Sequence, residues 1–191
     1  MDEAERRFRA ALELAPSYVE AMSNLGGVAA VRGDAAGAEA WYERAIAVDP
    51  SYPHVHRRLA DLFYDRHDWA RALAYYRRVL AALPTPFEVL VQAGNAARFL
   101  GDDAAARDYY AAAGRVRADS WIPPYNLACL AALAGDAGGA LALLGEAADL
   151  GLAAPPLLDD NDDFASLRAT PEWTQLAARV QTAAIVRPRR S

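Results

Sequence analysis

The chain has 191 residues and a formal net charge of −5, and 54% of its residues are hydrophobic although only 9% are aromatic. This acidic balance argues against general binding to nucleic acids or to anionic membranes, because both require a basic surface. Cys129 is the single cysteine, so an internal disulfide is excluded. The sequence shows no signal-peptide pattern at its start and no apolar stretch near the roughly 20 residues that span a bilayer. We therefore expect a soluble, cytoplasmic protein.

The first predicted helix covers residues 2–15, and Pro16 follows it as a stop signal. Its packing residues begin a pattern that recurs every 34 residues along the chain. A column of small residues contains Ala4, Ala38, Ala72, Ala106 and Ala140, and a column of large residues contains Phe8, Tyr42, Tyr76, Tyr110 and Leu144. A constant period of this length is typical of stacked supersecondary units.

A helix stop followed by a helix start divides each unit into halves. The dipeptides at these places are Gly33-Asp34, His67-Asp68, Gly101-Asp102 and Gly135-Asp136. Glycine tolerates the left-handed conformation that follows a helix end, and aspartate accepts hydrogen bonds from the free N–H groups of the next helix. Each unit is therefore predicted to be two antiparallel helices joined by a tight turn.

Full units are predicted at residues 19–50, 53–84, 87–118 and 121–152, after a half unit at residues 1–16. Pro50 and Pro84 end the first two full units, because proline lacks the N–H donor that a helix needs. In the half unit, Phe8, Leu12 and Leu14 are expected on a face that packs on both sides. A terminal repeat normally presents a polar outer face, so we hypothesise that this end forms a homodimer or a docking edge.

Residues 153–186 leave the repeat register and are predicted to cap the last unit. Thr170 is expected to cap a closing helix that begins at Pro171, where proline is tolerated. An apolar stripe follows along that helix at Trp173, Leu176, Val180 and Ala184. Residues 187–191 are predicted to be a flexible tail.

Taken together, these features resemble the tetratricopeptide repeat, whose 34-residue unit carries small residues at two fixed positions, an aromatic residue and a late proline. The resemblance covers almost the whole chain. It implies an all-α fold, a right-handed α-α superhelix with about four full repeats, an N-terminal half repeat and a C-terminal capping region in one domain over residues 1–186. The closing segment is similar to those that often end such arrays in bacterial proteins. One departure is the family's early tryptophan, which is replaced here by Met22, His56, Leu90 and Pro124.

No pattern of residues indicates catalysis, and we expect no enzyme activity, no cofactor and no metal site. The acidic run from Asp159 to Asp163 lacks the glycine and the final glutamate of a calcium loop. His54 and His56 are two positions apart and point to different faces of a helix, which does not suit a shared metal ion. Cys129 is best interpreted as a small buried hydrophobic residue.

The resemblance implies a concave groove lined by the first helix of each unit, where family members bind extended peptides or helices. Carried over position by position, the predicted groove residues are Asn24, Arg57, Arg58, Asp61, Tyr64, Gln92, Asn95, Arg98, Tyr125 and Asn126. The same stripe also includes Glu20, Ser23, Gly27, His54, Glu88, Val91, Ile122 and Cys129. The family's chaperone-tail clamp is disfavoured, because Ser23, Gly27 and Glu88 stand in columns where it requires lysine or asparagine.

We therefore predict a non-catalytic scaffold or adaptor that binds a protein or peptide partner, without nucleic-acid or membrane binding. Arginines in the middle of the groove suit an acidic group of the partner, and the aromatic last unit suits an apolar side chain. The alternative is a regulatory fragment of a larger enzyme such as a kinase or transferase. A small-molecule binder ranks last, since no enclosed set of polar groups is apparent.

Overall fold

The structure is a computed structural model that describes residues 2–83 and 86–186, except for the side chains of Asp2 and Val186. It divides the chain into two compact units, Met1–Gly101 and Asp102–Ser191. Across the described ranges every regular element is helical and no strand occurs, which confirms the predicted all-α class. The predicted stop at Pro84 and the predicted tail at 187–191 lie outside the described residues. That residues 1–186 form one domain stays a prediction.

Unit 1 contains six helices within its described part. They are α1 (Asp2–Leu14), α2 (Val19–Val31), α3 (Ala35–Val48), α4 (Pro53–Asp65), α5 (Trp69–Ala82) and α6 (Phe87–Phe99). Helices α2 and α3 pack as one pair and α4 and α5 as the next, as the period predicts.

Unit 2 begins with three long helices, α7 (Asp103–Val116), α8 (Ile122–Leu133) and α9 (Ala137–Asp149). A short helix α10 (Pro156–Asp159) and a 3-10 turn (Asp162–Phe164) follow, and α11 (Pro171–Val186) closes the described part of the chain. Helices α8 and α9 form the pair of the last predicted repeat. The boundaries agree with the sequence prediction to within a few residues at each end.

The turns within the repeats have the conformation that the sequence predicts. Backbone φ is positive at all four positions, with 79° at Gly33, 58° at His67, 77° at Gly101 and 79° at Gly135. The aspartate that follows each of them accepts a hydrogen bond from a backbone N–H three residues later, at 2.8 to 3.2 Å. This bond satisfies a donor that the first turn of a helix otherwise leaves free.

The repeated columns of small and large residues form the interiors of the helix pairs. From the first full repeat onward, every member of both columns is buried. Small residues allow close approach of the helices: a Cβ atom at Gly26 would overlap the ring of Tyr42. The large residue fills the space between the two helices of its pair, and this packing explains the strict spacing of the columns.

Helix α1 packs on α2 through one side only. Leu12 is buried, but Leu14 is 90% exposed, so the expectation that Leu14 belongs to the packing face is wrong. The physical reason is that Leu12 and Leu14 are two residues apart in a helix, so their side chains point in directions that differ by about 200°. Ala4 is exposed and Phe8 is partly exposed, although the equivalent residues of every later repeat are buried.

The segment after residue 152 covers the last repeat, as predicted. Leu158, Phe164 and Leu167 are fully buried in one cluster with Leu144 of α9 and Trp173 of α11. Thr170 accepts the hydrogen bond that caps α11, with 3.2 Å between its Oγ1 and the backbone nitrogen of Trp173. Among the described residues, no helix is both long enough and apolar enough to cross a bilayer.

Candidate binding groove

A polar groove of about 480 Å³ lies in unit 1 between α2 and α4. Its lining combines side chains of α2, of α4 and of the residue that precedes α4: Glu20, Ser23, Asn24, Tyr52, His54, Arg57, Arg58 and Asp61. Four of the ten predicted groove residues therefore meet in one place, and Glu20, Ser23 and His54 of the same predicted stripe join them. They meet because the first helices of neighbouring repeats run side by side with equivalent positions facing the same way.

An ion pair and a partly buried hydrogen bond organise the wall that α4 provides. Arg57 Nε lies 3.7 Å from Oδ2 of Asp61, and the hydroxyl of Tyr76 donates a 2.9 Å hydrogen bond to Oδ1 of Asp61. Burial raises the pKa of the Asp61 carboxyl, while the Tyr76 hydrogen bond and the charge of Arg57 oppose that rise. The pKa of Tyr76 is also raised, by burial first and then by the carboxylate beside it. Asp61 thus already has two partners, Arg57 in the ion pair and Tyr76 in the hydrogen bond.

Two of the predicted groove residues keep their polar groups available. Arg58 is exposed and forms no ion pair with any carboxylate of the described residues. Asn24 is also exposed, and its side-chain amide has no hydrogen-bond partner within the same described ranges. These two residues occupy the same repeat column on neighbouring helices, so a bound chain can contact both.

Tyr52 and Glu20 form the end of the groove near the start of both helices. Burial raises the pKa of the Tyr52 hydroxyl, and Glu20 adds to this effect through its charge and a side-chain hydrogen bond. Tyr52 is absent from the predicted groove residues, because it precedes α4 and lies outside the helical stripe. The available signal was its column, in which Tyr18 is the equivalent residue one repeat earlier.

The predicted groove residues of α6 lie next to Tyr64, which is near the end of α4. Asn95 Nδ2 donates a 3.1 Å hydrogen bond to the hydroxyl of Tyr64, which links the first helices of two consecutive repeats. Tyr64 also makes edge contacts with the rings of Tyr76 and Trp69, at 6.3 and 5.1 Å between centroids. Oε1 of Gln92 is buried without a hydrogen-bond partner in the described part of the chain. Arg98, at the end of α6, is partly exposed.

Tyr125 and Asn126, the predicted groove residues of unit 2, have different environments. Tyr125 is only 9% exposed, and its hydroxyl donates a 2.8 Å hydrogen bond to the carbonyl of Leu157. Nδ2 of Asn161 donates to the same hydroxyl at 2.8 Å, and burial raises the pKa of Tyr125 to about 12. The capping segment therefore uses the polar group of Tyr125, whereas Asn126 stays partly exposed.

His56 and Cys129 hold structural positions. His56 is buried on α4, where its Nε2 lies 2.7 Å from the carbonyl oxygen of Pro50, while His54 points into the groove. Cys129 is buried, and Nδ2 of Asn161 lies 3.4 Å from its sulfur. The described ranges contain no cluster of three or more His, Cys, Asp or Glu side chains that could hold a metal ion.

Solved structures of three other proteins share this arrangement of helices. YrrB, described as a TPR protein with an unusual peptide-binding site, matches with a TM-score of 0.74 at 14% identity, over 94% of this chain and 96% of that one. MamA matches with a TM-score of 0.74 at 15% identity, over 88% and 90% of the two chains. PilW, a type IV pilus biogenesis factor, matches with a TM-score of 0.61 at 18% identity, over 88% and 87%. At these identities the likeness shows the fold alone.

Among curated proteins, a sequence search finds no significant match. The family model for the tetratricopeptide repeat matches residues 1–53 and 57–120, which is more than half of the chain. The matched segments contain three of the four turns with positive φ, at Gly33, His67 and Gly101, together with the buried column residues of the repeats up to Tyr110. The chain therefore belongs to the tetratricopeptide-repeat family.

Proposed function

We propose that this protein is a non-catalytic scaffold that binds a peptide or a partner helix in the groove between α2 and α4. Stacked helical repeats expose extended surfaces that commonly bind other proteins. The observation that carries the proposal is the convergence of Asn24, Arg57, Arg58 and Asp61 on one groove of about 480 Å³. A groove of that volume is within the ~300 to 1,000 Å³ typical of ligand sites.

The chemistry of the groove favours a peptide that carries a carboxylate. Arg58 offers a guanidinium fork without a carboxylate partner in the described ranges, and such a fork binds a carboxylate through two parallel hydrogen bonds. Asn24 offers both a donor and an acceptor, which suit the backbone of an extended chain. Arg57 contributes less, because Asp61 already balances its charge.

The proposed contact surface extends from this groove along α6. Tyr64 supplies a flat ring, and the amide of Asn95 is held next to it by their mutual hydrogen bond. Aromatic side chains provide large contact areas at a small cost in conformational entropy. Participation of Arg98, Tyr125 and Asn126 stays a prediction.

The test is affinity capture followed by a binding measurement with the captured partner. The wild-type protein, the Arg58→Glu variant and the Arg58→Glu plus Arg98→Glu variant are compared under the same conditions. Arg107→Glu is the matched control, because Arg107 is an exposed arginine of α7 outside the groove. We expect Arg58→Glu to weaken binding by about tenfold or more, since it replaces an attractive pair with a repulsive one.

The control should bind like the wild type. A lysine in place of the partner's acidic residue should restore binding to Arg58→Glu. Undiminished binding by both groove variants would refute the proposed site.

A further inference from the structure

One repeat of unit 2 lacks a side chain that its counterparts in unit 1 possess. Leu12, Ile46 and Leu80 occupy the same column at intervals of 34 residues, near the end of each second helix. The next member of the column is Gly114 in α7. Because glycine has no side chain, the space that a branched aliphatic group would fill at this position is left open.

The helix beneath Gly114 shows the consequence. Leu127 of α8 belongs to the column whose earlier members are Leu25, Leu59 and Ala93. These earlier members are 2%, 0% and 0% exposed, whereas Leu127 is partly exposed. A leucine that is part of the buried core elsewhere therefore has an open surface here.

The open space is a cavity of about 410 Å³ between α7, α8 and α9. Apolar groups form most of its walls, including those of Pro123, Leu127, Leu143 and Leu150. Charged groups, including Arg115 and Glu146, stand at its rim, and both of these side chains are exposed. An apolar cavity offers water few hydrogen-bond partners, so an apolar occupant is favoured over solvent.

We propose that this cavity binds one leucine-sized aliphatic side chain of a protein partner, with an acidic residue of the partner next to it. The size follows from the column, since the vacant position holds leucine or isoleucine in three other repeats. The charge follows from the rim, where Arg115 and Arg117 outnumber Glu146, and Arg115 has no carboxylate partner among the described side chains. This site lies in unit 2 and differs in chemistry from the polar groove of unit 1, so it goes beyond the function proposed above.

The cavity can be filled by substitution without steric conflict. A Cβ atom at Gly114 would meet only the Cβ of Pro123, at an ordinary contact distance of 3.6 Å. Gly114→Leu should therefore fold and place its side chain where the partner's leucine would lie. Gly145→Leu is the matched control: Gly145 is also inside a helix, and a Cβ atom there meets nothing within 4 Å. Both variants gain helix propensity, but only the first fills the cavity.

The experiment is an NMR titration of the full chain with a synthetic peptide, Asp-Asp-Leu-Asp-Asp with blocked ends. We expect saturable shifts of the amide signals of Gly114, Arg115 and Leu127. The version with alanine in place of leucine should bind about tenfold or more weakly, given the apolar area lost. Gly114→Leu should abolish the shifts, Arg115→Glu should weaken binding, and Gly145→Leu should bind like the wild type.

Three results would overturn the proposal. The leucine peptide could fail to shift these signals in the wild type, the alanine peptide could bind equally well, or Gly114→Leu could bind as the wild type does. Circular dichroism of each variant shows whether it is folded, and the alanine peptide provides a test on the unmodified protein. Arg58→Glu is expected to leave this titration unchanged, so failure here is distinguishable from failure of the groove in unit 1.

Discussion

The hydrogen bond from Tyr76 to Asp61 gives a quantitative test of the groove wall. Tyr76→Phe removes only the hydroxyl, so the buried ring keeps its packing and no sizeable cavity forms. A hydrogen bond to a charged acceptor contributes about 1.5 to 3 kcal/mol. The side chain of Asp61 is 36% exposed, so water can replace part of the lost bond. We therefore expect a loss of about 1 to 1.5 kcal/mol in the free energy of unfolding near neutral pH.

The same substitution should change how stability depends on pH. The hydrogen bond from Tyr76 lowers the pKa of Asp61, so its removal raises the already elevated pKa of the folded state further. The lost interaction matters only while Asp61 is ionised. The stability deficit of Tyr76→Phe should therefore be full above the pKa of Asp61 in the variant, and it should shrink as the pH falls through that value.

Urea denaturation followed by circular dichroism, repeated at several pH values, measures both effects. The control is Tyr42→Phe, because Tyr42 occupies the same column and is buried, and its hydroxyl has no hydrogen-bond partner among the described residues. We expect the control to lose less than about 0.5 kcal/mol. A deficit for Tyr76→Phe that stays constant from neutral to acidic pH would refute Asp61 as the group that this hydroxyl stabilises.

Two further predictions concern the ends of the described chain. Phe164→Ala should destabilise unit 2 by about 3 to 5 kcal/mol. The reason is that Phe164 is fully buried and its ring centroid lies 5.8 and 5.7 Å from those of Tyr125 and Trp173. Unchanged hydrogen exchange in α11 would contradict this packing role. Self-association through α1 stays a prediction, which the exposed Ala4 and the partly exposed Phe8 support, since the equivalent residues of every later repeat are buried. Sedimentation should show a dimer that Phe8→Glu dissociates, and a wild-type monomer at high concentration would rule it out.

The two proposed sites divide recognition between a polar and an apolar surface. The groove of unit 1 offers Arg58 and Asn24 for polar contacts, and the cavity of unit 2 offers apolar walls around Gly114.

Local chemistry explains why the sequence alone predicted most of the fold. A glycine or histidine followed by aspartate marks each turn, because left-handed backbone and helix capping depend on residues next to each other in the chain. The columns of Tyr42 and Ala38 follow from a constant period, so their burial could also be predicted. Leu14 shows where a list of apolar residues fails, since its direction around the helix decides its exposure.

The sequence by itself determined the helix pairs, their turns, the buried columns and the identity of the side chains on the first helices. Only the tertiary structure decided which of these side chains remain available for binding. Tyr125 shares its stripe with groove residues, yet Leu157 and Asn161, 32 and 36 positions away, occupy its hydroxyl. The reverse holds at Gly114, where a missing side chain opens a cavity against α8 and α9. Whether a side chain is available for binding depends on whether a distant segment covers it, and the spacing of residues along one helix does not indicate this.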